Sequence, residues 1–324
     1  MAGQGRIATV RAGADEALWA ITAYFNSGGL ASRRRNYSRF RRHVAAPLLT
    51  VELAFGDAPF ALGADDAEIL VQVRGGDVMW QKERLLDLAL ARLPASCRHV
   101  AWIDCDVVFA RSDWPELTLR ALETQRFVQL FDTVHYLRRE PGDGPFAARD
   151  AYVARASIAR EVEAGRDPQD LLNEGDHRTY APTSPGFAWA MERETIERCR
   201  FFDTCIVGGG DRAMIAAAYG AFDHVVRRQK MTPAHAAQYR AWGEAFRAAV
   251  EGAVGSIPGE LFHLWHGSVE KRRMRERYDE IAPLAFDPTR DISLAVSGAW
   301  QWCSDKPGLH ATVSRQFVTR YEDD

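Results

Sequence analysis

The sequence predicts an α/β fold in which a mostly parallel sheet is flanked by helices. Short apolar runs rich in β-prone residues, at 18–25, 48–55 and 69–73, each end in a turn signal, and segments with helical spacing separate them. With 324 residues, 47% of them hydrophobic and 26% charged, the chain can form a large core. We expect a single domain with a C-terminal helical extension.

Charge, cysteines and hydropathy exclude several classes of protein. The net charge of −3 gives no case for nucleic-acid binding. None of the 5 cysteines forms a Cys-x-x-Cys pair, and their odd number suits a reducing compartment. Residues 1–16 lack the apolar core of a signal peptide and are predicted to be a flexible lead, and no apolar run reaches the roughly 18 residues of a transmembrane helix. We expect a cytoplasmic protein and leave peripheral membrane contact open.

Polar residues follow three predicted strands at the ends where parallel sheets bind ligands. Asn26 follows the first strand, Arg74 and Asp77 follow the third, and Asp104 and Asp106 lie at the end of another. Because the carboxyl ends of parallel strands share one edge, we expect these side chains to converge on a ligand.

Asp104 and Asp106 form an Asp-x-Asp pattern inside the run His-Val-Ala-Trp-Ile-Asp-Cys-Asp-Val-Val-Phe. Residues i and i+2 of a strand point to the same side, so both carboxylates could bind one cation. The alternative is a strand end with two capping aspartates, because the pattern is short and frequent by chance.

The second half of the chain is less regular. We predict a strand over 127–136, a helix over 151–164 and a polar, substrate-facing loop over 165–180. The tail at 286–324 is predicted to pack on the domain through its aromatic residues.

A glycine-rich turn, Cys-Ile-Val-Gly-Gly-Gly-Asp, ends at Asp211 and precedes a predicted helix over 212–219. Glycines such as Gly209 and Gly210 permit close approach of a ligand to the backbone, and the helix dipole favours an ionised carboxylate at this end. The plainer alternative is an aspartate that caps the helix after a flexible turn.

Two histidines follow in the run Phe-His-Leu-Trp-His-Gly. On a strand, His263 and His266 would face opposite sides, so only one is expected to join a metal site. The alternative is a histidine packed or hydrogen-bonded in the core. The basic run at 271–277 is either a solvated helix face or an anion-binding wall.

In this order, the motifs resemble those of the nucleotide-sugar glycosyltransferases of GT-A fold, which is Rossmann-like. They are most similar to the catalytic part of the β-1,4-galactosyltransferases and polypeptide N-acetylgalactosaminyltransferases, over about residues 19–277. The resemblance implies a glycosyltransferase domain at 17–285, with a donor half at about 17–115 and an acceptor and catalytic half at about 116–285, followed by the extension at 286–324.

The resemblance assigns roles to individual residues. It implies Asp106 as the direct metal ligand and Asp104 as its partner, near the metal and the donor's ribose. The family's Phe-Asn-Arg segment aligns with Trp-Gln-Lys at 80–82, which implies that Lys82 lies near the nucleotide.

The family's Trp-Gly-Gly-Glu-Asp motif aligns with residues 207–211, which implies Asp211 as the general base. A later histidine completes the family's metal site, and His266 is our choice over its neighbour. Val207 and Gly210 replace the tryptophan and glutamate that touch the sugars, so sugar specificity does not carry over. The absence of a signal anchor also departs from the Golgi enzymes and suggests a cytosolic bacterial or phage relative.

The predicted function is that of a metal-dependent, hexosyltransferase-like glycosyltransferase. It would move a sugar from a nucleoside diphosphate, UDP by family expectation, to the hydroxyl of a carbohydrate or other acceptor, with inversion. Mn²⁺ or Mg²⁺ is the expected cofactor. The residues predicted to contact the donor are Asn26, Arg74, Asp77, Lys82, Asp104, Gly209 and Gly210.

Two other functions stay open. A sugar-phosphate nucleotidyltransferase would use a related sheet, but residues 26–29 are not followed by the Gly-x-Gly-x-x-x-Arg pattern typical of such enzymes. A non-catalytic sugar- or nucleotide-binding protein would tolerate loss of Asp211 or of the metal ligands, all of which are present. A nucleic-acid enzyme is disfavoured, because the basic residues lack interleaved aromatic residues.

Overall fold

The structure is a computed structural model that describes residues 6–7, 17–139, 145–173, 183–267 and 276–318. Four predictions fall wholly or partly outside the described residues: the lead at 1–16, the loop at 165–180, the basic run at 271–277 and the tail at 286–324.

The described residues form a mixture of strands and helices. The strands are β1 (Arg6–Ile7), β2 (Leu18–Phe25), β3 (Leu48–Ala54), β4 (Ile69–Arg74), β5 (His99–Ile103), β6 (Val107–Phe109), β7 (Phe127–Gln129), β8 (Thr133–Leu137), β9 (Ala151–Ser157), β10 (Thr183–Ser184), β11 (Ala188–Glu192), β12 (Val254–Ser256), β13 (Glu260–His263), β14 (Ile292–Leu294) and β15 (Trp300–Trp302). The helices are α1 (Ala31–His43), α2 (Lys82–Leu90), α3 (Trp114–Leu122), α4 (Ile158–Glu163), α5 (Pro168–Asn173), α6 (Arg193–Cys199), α7 (Gly210–Ala218), α8 (Phe222–Arg228), α9 (Pro233–Val250), α10 (Glu276–Ile281), α11 (Pro288–Asp291) and α12 (Pro307–Val318). Among the described helices, none has the length and apolar character needed to span a bilayer.

The main sheet has the order β1-β4-β3-β2-β5-β11-β7-β12 within the described ranges. Strands β4, β3, β2 and β5 are parallel neighbours, and β12 is parallel to β7. Strand β11 runs antiparallel between β5 and β7. The carboxyl ends of β2, β4 and β5 therefore share one edge. The predicted α/β class, a mostly parallel, Rossmann-like sheet flanked by helices, is confirmed.

Alternating side chains of the main sheet pack into two apolar layers, one on each face. On one face, Ile21 belongs to a buried cluster with Leu85 of α2. On the other, Ala20 belongs to a cluster with Tyr37 of α1 and Trp114 of α3. Burial of each such large side chain contributes roughly 1.5–3 kcal/mol, so both layers hold the sheet and its carboxyl edge in place.

A second sheet has the order β10-β9-β8-β13-β6. Strand β13 is parallel to β8 and antiparallel to β6. Since β6 comes shortly after β5 of the main sheet, this pairing brings the end of β13 close to the carboxyl edge of the main sheet.

Three predictions of secondary structure are wrong. The predicted loop over 165–180 contains helix α5 in its described part, where Leu171 and Leu172 are buried in the core. The segment 127–136 contains two strands, because β7 belongs to the main sheet and β8 to the second. The first half of 151–164 is strand β9, because its backbone pairs with β8. Helix α4 begins only after Ser157, whose hydroxyl accepts a hydrogen bond from the N–H of Arg160 at 3.2 Å.

The C-terminal segment packs on the domain next to the start of α2. The side-chain amide of Gln81 donates to the carbonyl of Trp300 at 2.8 Å and accepts from its N–H at 2.9 Å. The ring of Phe317, on α12, stacks on Trp80 with centroids 6.5 Å apart. Both contacts hold the residues that precede α2 against the C-terminal segment.

Candidate active site

A cleft lies at the carboxyl edge of the main sheet, where that edge meets the second sheet. Its lining comes from the ends of β2 and β5, the start of α2 and the turn after β13. The residues that line it are Ala23, Tyr24, Phe25, Arg33, Asn36, Trp80, Lys82, Asp104, Cys105, Asp106, Phe187, His263, His266 and Arg277. Four predicted site residues, Lys82, Asp104, Asp106 and His266, are among them.

Asp106, His263 and His266 bring three metal-ligating groups together. One ligand atom from each lies within 4.8 Å of the others. The Nε2 atom of His266 is 3.2 Å from Asp106 Oδ2, that of His263 is 3.8 Å from it, and the two imidazole nitrogens are 2.9 Å apart. Both histidines are buried, and the carboxylate is half-buried beside them.

Strand pairing and a turn create this cluster. Strand β6 begins directly after Asp106, and its pairing with β13 brings His263 alongside. In the turn that follows β13, the carbonyl of Trp265 accepts a hydrogen bond from Asn36 Nδ2 at 2.8 Å, and His266 returns to the side of His263. The prediction that only one of the two histidines can join the site is wrong, because the backbone leaves strand geometry between them.

The three side chains fit a divalent cation. Asp106 Oδ1 is buried and has no hydrogen-bond partner in the described part of the chain, and a bound cation would compensate for its lost hydration. A carboxylate and two imidazoles are ligands suited to divalent transition metals. These residues can therefore hold a metal ion at the cleft.

Lys82 joins Asp104 to Asp211. Its Nζ atom is 2.5 Å from Asp104 Oδ1, and 2.9 and 3.0 Å from the two carboxylate oxygens of Asp211. Asp104 follows β5, Lys82 is the first residue of α2 and Asp211 is the second residue of α7. Asp211 is not among the lining residues, but 25% of its side chain is exposed beside Lys82, which does line the cleft.

The electrostatics of this group follow from burial and neighbouring charge. Burial lowers the pKa of the Lys82 ammonium, but the carboxylates of Asp104 and Asp211 outweigh it, so that pKa is raised. Burial raises the pKa of the Asp104 carboxyl to about 7, against the opposing effect of Lys82. Burial likewise raises the pKa of Glu83, the next residue of α2, to about 8. Lys82 is thus charged near neutral pH.

Side chains of the protein itself occupy the space beside the glycine-rich turn before Asp211. Gly209 has φ of 105°, a conformation that favours glycine, and a Cβ there would lie 2.8 Å from Gln229 Nε2. A Cβ on Gly210 would lie 2.5 Å from Glu83 Cδ. Neither glycine lines the cleft, so the predicted contact of Gly209 and Gly210 with the donor is not supported by their positions. The glycines are required by packing.

The other three predicted donor contacts, Asn26, Arg74 and Asp77, do not line the cleft. Their polar atoms form hydrogen bonds elsewhere in the fold. Asn26 closes a turn by bonding the N–H and carbonyl of Leu30, both at 2.9 Å. Arg74 donates to two loop carbonyls at 2.6 and 2.7 Å. The carboxylate of Asp77 accepts from the N–H of Trp302 at 2.7 Å. Their predicted contact with the donor is therefore not supported either.

Sequence reasoning missed several lining residues. The His-x-x-His pattern contains His263, but we preferred His266 as the ligand. Phe187 follows the turn signal Pro-Gly and has φ of 78°, rare for a non-glycine residue. Its carbonyl accepts from the N–H of Asp104 at 2.7 Å, and its ring lies 4.8 Å from that of His263. Of the basic run at 271–277, Arg277 lines the cleft, and residues 271–275 lie outside the described residues.

Comparison with known proteins gives likenesses of structure alone. No protein-family model matches the chain. No curated protein matches its sequence.

Three solved structures illustrate the structural likenesses. The mannosyltransferase PcManGT from Pyrobaculum calidifontis, in complex with GDP-Man and Mn²⁺, is 12% identical with a TM-score of 0.37, covering 94% of this chain and 70% of that one. The 4-diphosphocytidyl-2C-methyl-D-erythritol synthase from Anaerococcus prevotii is 12% identical with a TM-score of 0.32, covering 76% and 88%. TarS 1–349 from S. aureus is 10% identical with a TM-score of 0.31, covering 70% of each chain.

Proposed function

We propose that this protein is a divalent-metal-dependent glycosyltransferase. It would transfer a hexose from a nucleoside diphosphate sugar, with UDP as the first donor to test, to an acceptor hydroxyl. The observation that carries the proposal is one cleft that combines Asp106, His263 and His266 with Lys82 at the carboxyl edge of the sheet. The cytoplasmic location predicted from the sequence stays a prediction.

The metal-binding residues of this proposal are Asp106, His263 and His266. A Mn²⁺ ion bound there would act as a Lewis acid that neutralises charge on the leaving diphosphate. Two further cations, Arg33 and Arg277, line the same cleft and suit the binding of phosphate oxygens. Asp104 is engaged by Lys82 and does not belong to the cluster of ligands, which revises the predicted role of Asp104 as a metal ligand.

Asp211 is the proposed general base. Its carboxylate would accept the proton of the acceptor hydroxyl as the acceptor oxygen bonds to the anomeric carbon. The bond between that carbon and the donor's phosphate oxygen breaks, and the diphosphate leaves with the electron pair. Attack opposite the leaving group inverts the anomeric centre.

The experiment that tests this function is calorimetric titration with UDP-, GDP- and CDP-sugars, with and without Mn²⁺. The proposal expects one sugar nucleotide to bind only with the metal, and Asp106→Asn to abolish that binding. Asp113→Asn is the matched control, because Asp113 is exposed and pairs with Arg111 on the surface. Unchanged donor affinity in Asp106→Asn would contradict the metal assignment.

Transfer is tested separately from binding. Asp211→Asn should keep donor affinity and lose sugar transfer to the acceptor, because the amide cannot accept the proton. Product analysis also separates the nucleotidyltransferase alternative, which would release pyrophosphate from a nucleoside triphosphate and a sugar phosphate. Retained turnover in Asp211→Asn would remove this residue as the base.

A further inference from the structure

The ammonium of Lys82 has all of its hydrogens engaged. A lysine ammonium carries three donors, and three carboxylate oxygens surround this one: Asp104 Oδ1 at 2.5 Å and the two oxygens of Asp211 at 2.9 and 3.0 Å. Contact with a donor phosphate would require the loss of one of these bonds. The geometry therefore directs Lys82 towards the two carboxylates and away from the nucleotide.

The position of Lys82 is costly for the fold. It is the first residue of α2, where the helix dipole disfavours a cation, and it is 7% exposed. Desolvation of an ammonium is strongly unfavourable, and the two carboxylates only offset that cost. Residues that break local rules in this way concentrate at functional sites.

The residue type also fits this position. Lysine occurs only at positions 82, 230, 271 and 306 among 41 basic residues, so arginine is the chain's usual cation. A compact ammonium can bond three oxygens around one point, whereas a planar guanidinium presents its donors as a wide fork. Arginine at position 82 would have to separate Asp104 from Asp211.

The Asp211 carboxylate is also closely approached by the backbone at Gly186. A Cβ added to Gly186 would lie 3.0 Å from Asp211 Oδ2, so only a glycine leaves this carboxylate its full room. Lys82 on one side and the Gly186 backbone on the other fix the orientation of the carboxylate.

We propose that Lys82 is a positioning residue that fixes Asp211, the base, relative to the strand end that carries the metal ligands. Asp104 anchors the ammonium to that strand end, so a single cation sets the distance between the two parts of the site. This role replaces the nucleotide contact predicted for Lys82, and it rests on the proposed function.

The test is a double-mutant cycle with two readouts, kcat for sugar transfer and the calorimetric Kd of the Mn²⁺-dependent donor complex. Lys82→Met should lower kcat about 100-fold, the order of loss that follows a misplacement of about 1 Å. Its donor Kd should stay within about threefold of wild type. In an Asp211→Asn background, Lys82→Met should change kcat by no more than about threefold, because the residue it positions is already lost.

Two results with Lys82→Met would overturn the proposal. A donor Kd weakened tenfold or more with kcat retained would make Lys82 a donor-binding residue. Multiplicative losses in the double mutant would show that Lys82 does not act through Asp211. Lys230→Met is the matched control, since Lys230 is 49% exposed and pairs with Asp279 at the surface, and it should leave both readouts unchanged.

Lys82→Arg covers the case in which Lys82→Met does not fold, because it keeps a charge beside the two carboxylates. It should lose kcat as the methionine variant does while donor Kd holds, and wild-type kcat in this variant would refute the proposal. Gly186→Ala is an independent perturbation of the same carboxylate and should also lower kcat without weakening donor binding. Failure of the function itself is seen separately, in wild-type protein that binds no sugar nucleotide.

Discussion

Replacement of Gly210 by alanine should destabilise the protein, although alanine in a helix is ordinarily the more stable residue by about 1 kcal/mol. The reason is Glu83. A Cβ at position 210 would lie 2.5 Å from Glu83 Cδ and 2.9 Å from Glu83 Cγ, far inside van der Waals contact. Because Glu83 is 3% exposed, its side chain has no solvent into which it can withdraw.

The magnitude follows from two opposing effects. Insertion of a methyl group into a closely packed site costs about 1–3 kcal/mol. The gain in helix propensity offsets at most about 1 kcal/mol of this. The net expectation for Gly210→Ala is a loss of about 1–2 kcal/mol in the free energy of unfolding.

Urea denaturation at constant pH measures this loss as a lower midpoint with an unchanged m value. Gly63→Ala is the matched control, because the nearest atom to its added Cβ is Asp66 Oδ2 at 4.0 Å, and it should stay within about 0.5 kcal/mol of wild type. Stability equal to or above wild type in Gly210→Ala would refute the packing argument. So would strict additivity with Glu83→Ala, since a shared clash requires coupling between the two sites.

Two further predictions concern the metal ligands and pH. His263→Ala should weaken Mn²⁺ binding by at least about 10- to 100-fold, the loss in affinity that follows removal of an outer-shell partner of a metal ligand. Calorimetric titration with Mn²⁺ in the absence of donor measures this affinity. His43→Ala is the exposed control, and equal Mn²⁺ affinity in the two variants would contradict the prediction. Burial raises the pKa of Glu83 from 4.5 to about 8, so the folded state holds a proton that the unfolded state releases. Its contribution to stability is complete below about pH 4.5 and is lost as pH rises through about 8. Glu83→Gln should therefore flatten the fall of the urea midpoint between about pH 5 and pH 8, and an unchanged slope would count against this assignment.

The main sheet could be predicted because its signals are local. Apolar runs such as Leu18–Phe25 are bounded by turn residues, and the strand that precedes Asp104 is apolar from Val100 to Ile103. Strand β9 was missed because its three alanines and Arg155 are among the strongest helix formers. Its strand geometry comes from pairing with β8, and tertiary pairing of this kind overrides local propensity.

The residues of the candidate site could be predicted more completely than the contacts between them. Asp106 and His266 are visible as motif residues, but the turn that brings His266 beside His263 is held by a bond from Asn36 to Trp265, more than two hundred residues away. The bridge from Lys82 to Asp211 spans 129 residues of sequence. Pairings at such separations leave no periodicity in the sequence.

The glycine-rich turn shows the limit of motif reading. Its three glycines suggested a backbone open to a ligand, but Glu83 occupies the space beside Gly210. A glutamate at position 210, as in the family that the motif resembles, would have no room. In this chain the carboxyl group of Glu83 reaches the same place from α2. A carboxyl group is therefore present beside the turn although the motif itself lacks the glutamate.

The pairing of Gln81 with Trp300 makes the start of α2 depend on the C-terminal segment. The amide of Gln81 meets the Trp300 backbone with one donor and one acceptor, as a neighbouring strand would. Deletion of β15, which begins at Trp300, would remove this partner. A truncation that removes Trp300 should therefore loosen the start of α2, the helix that begins at Lys82.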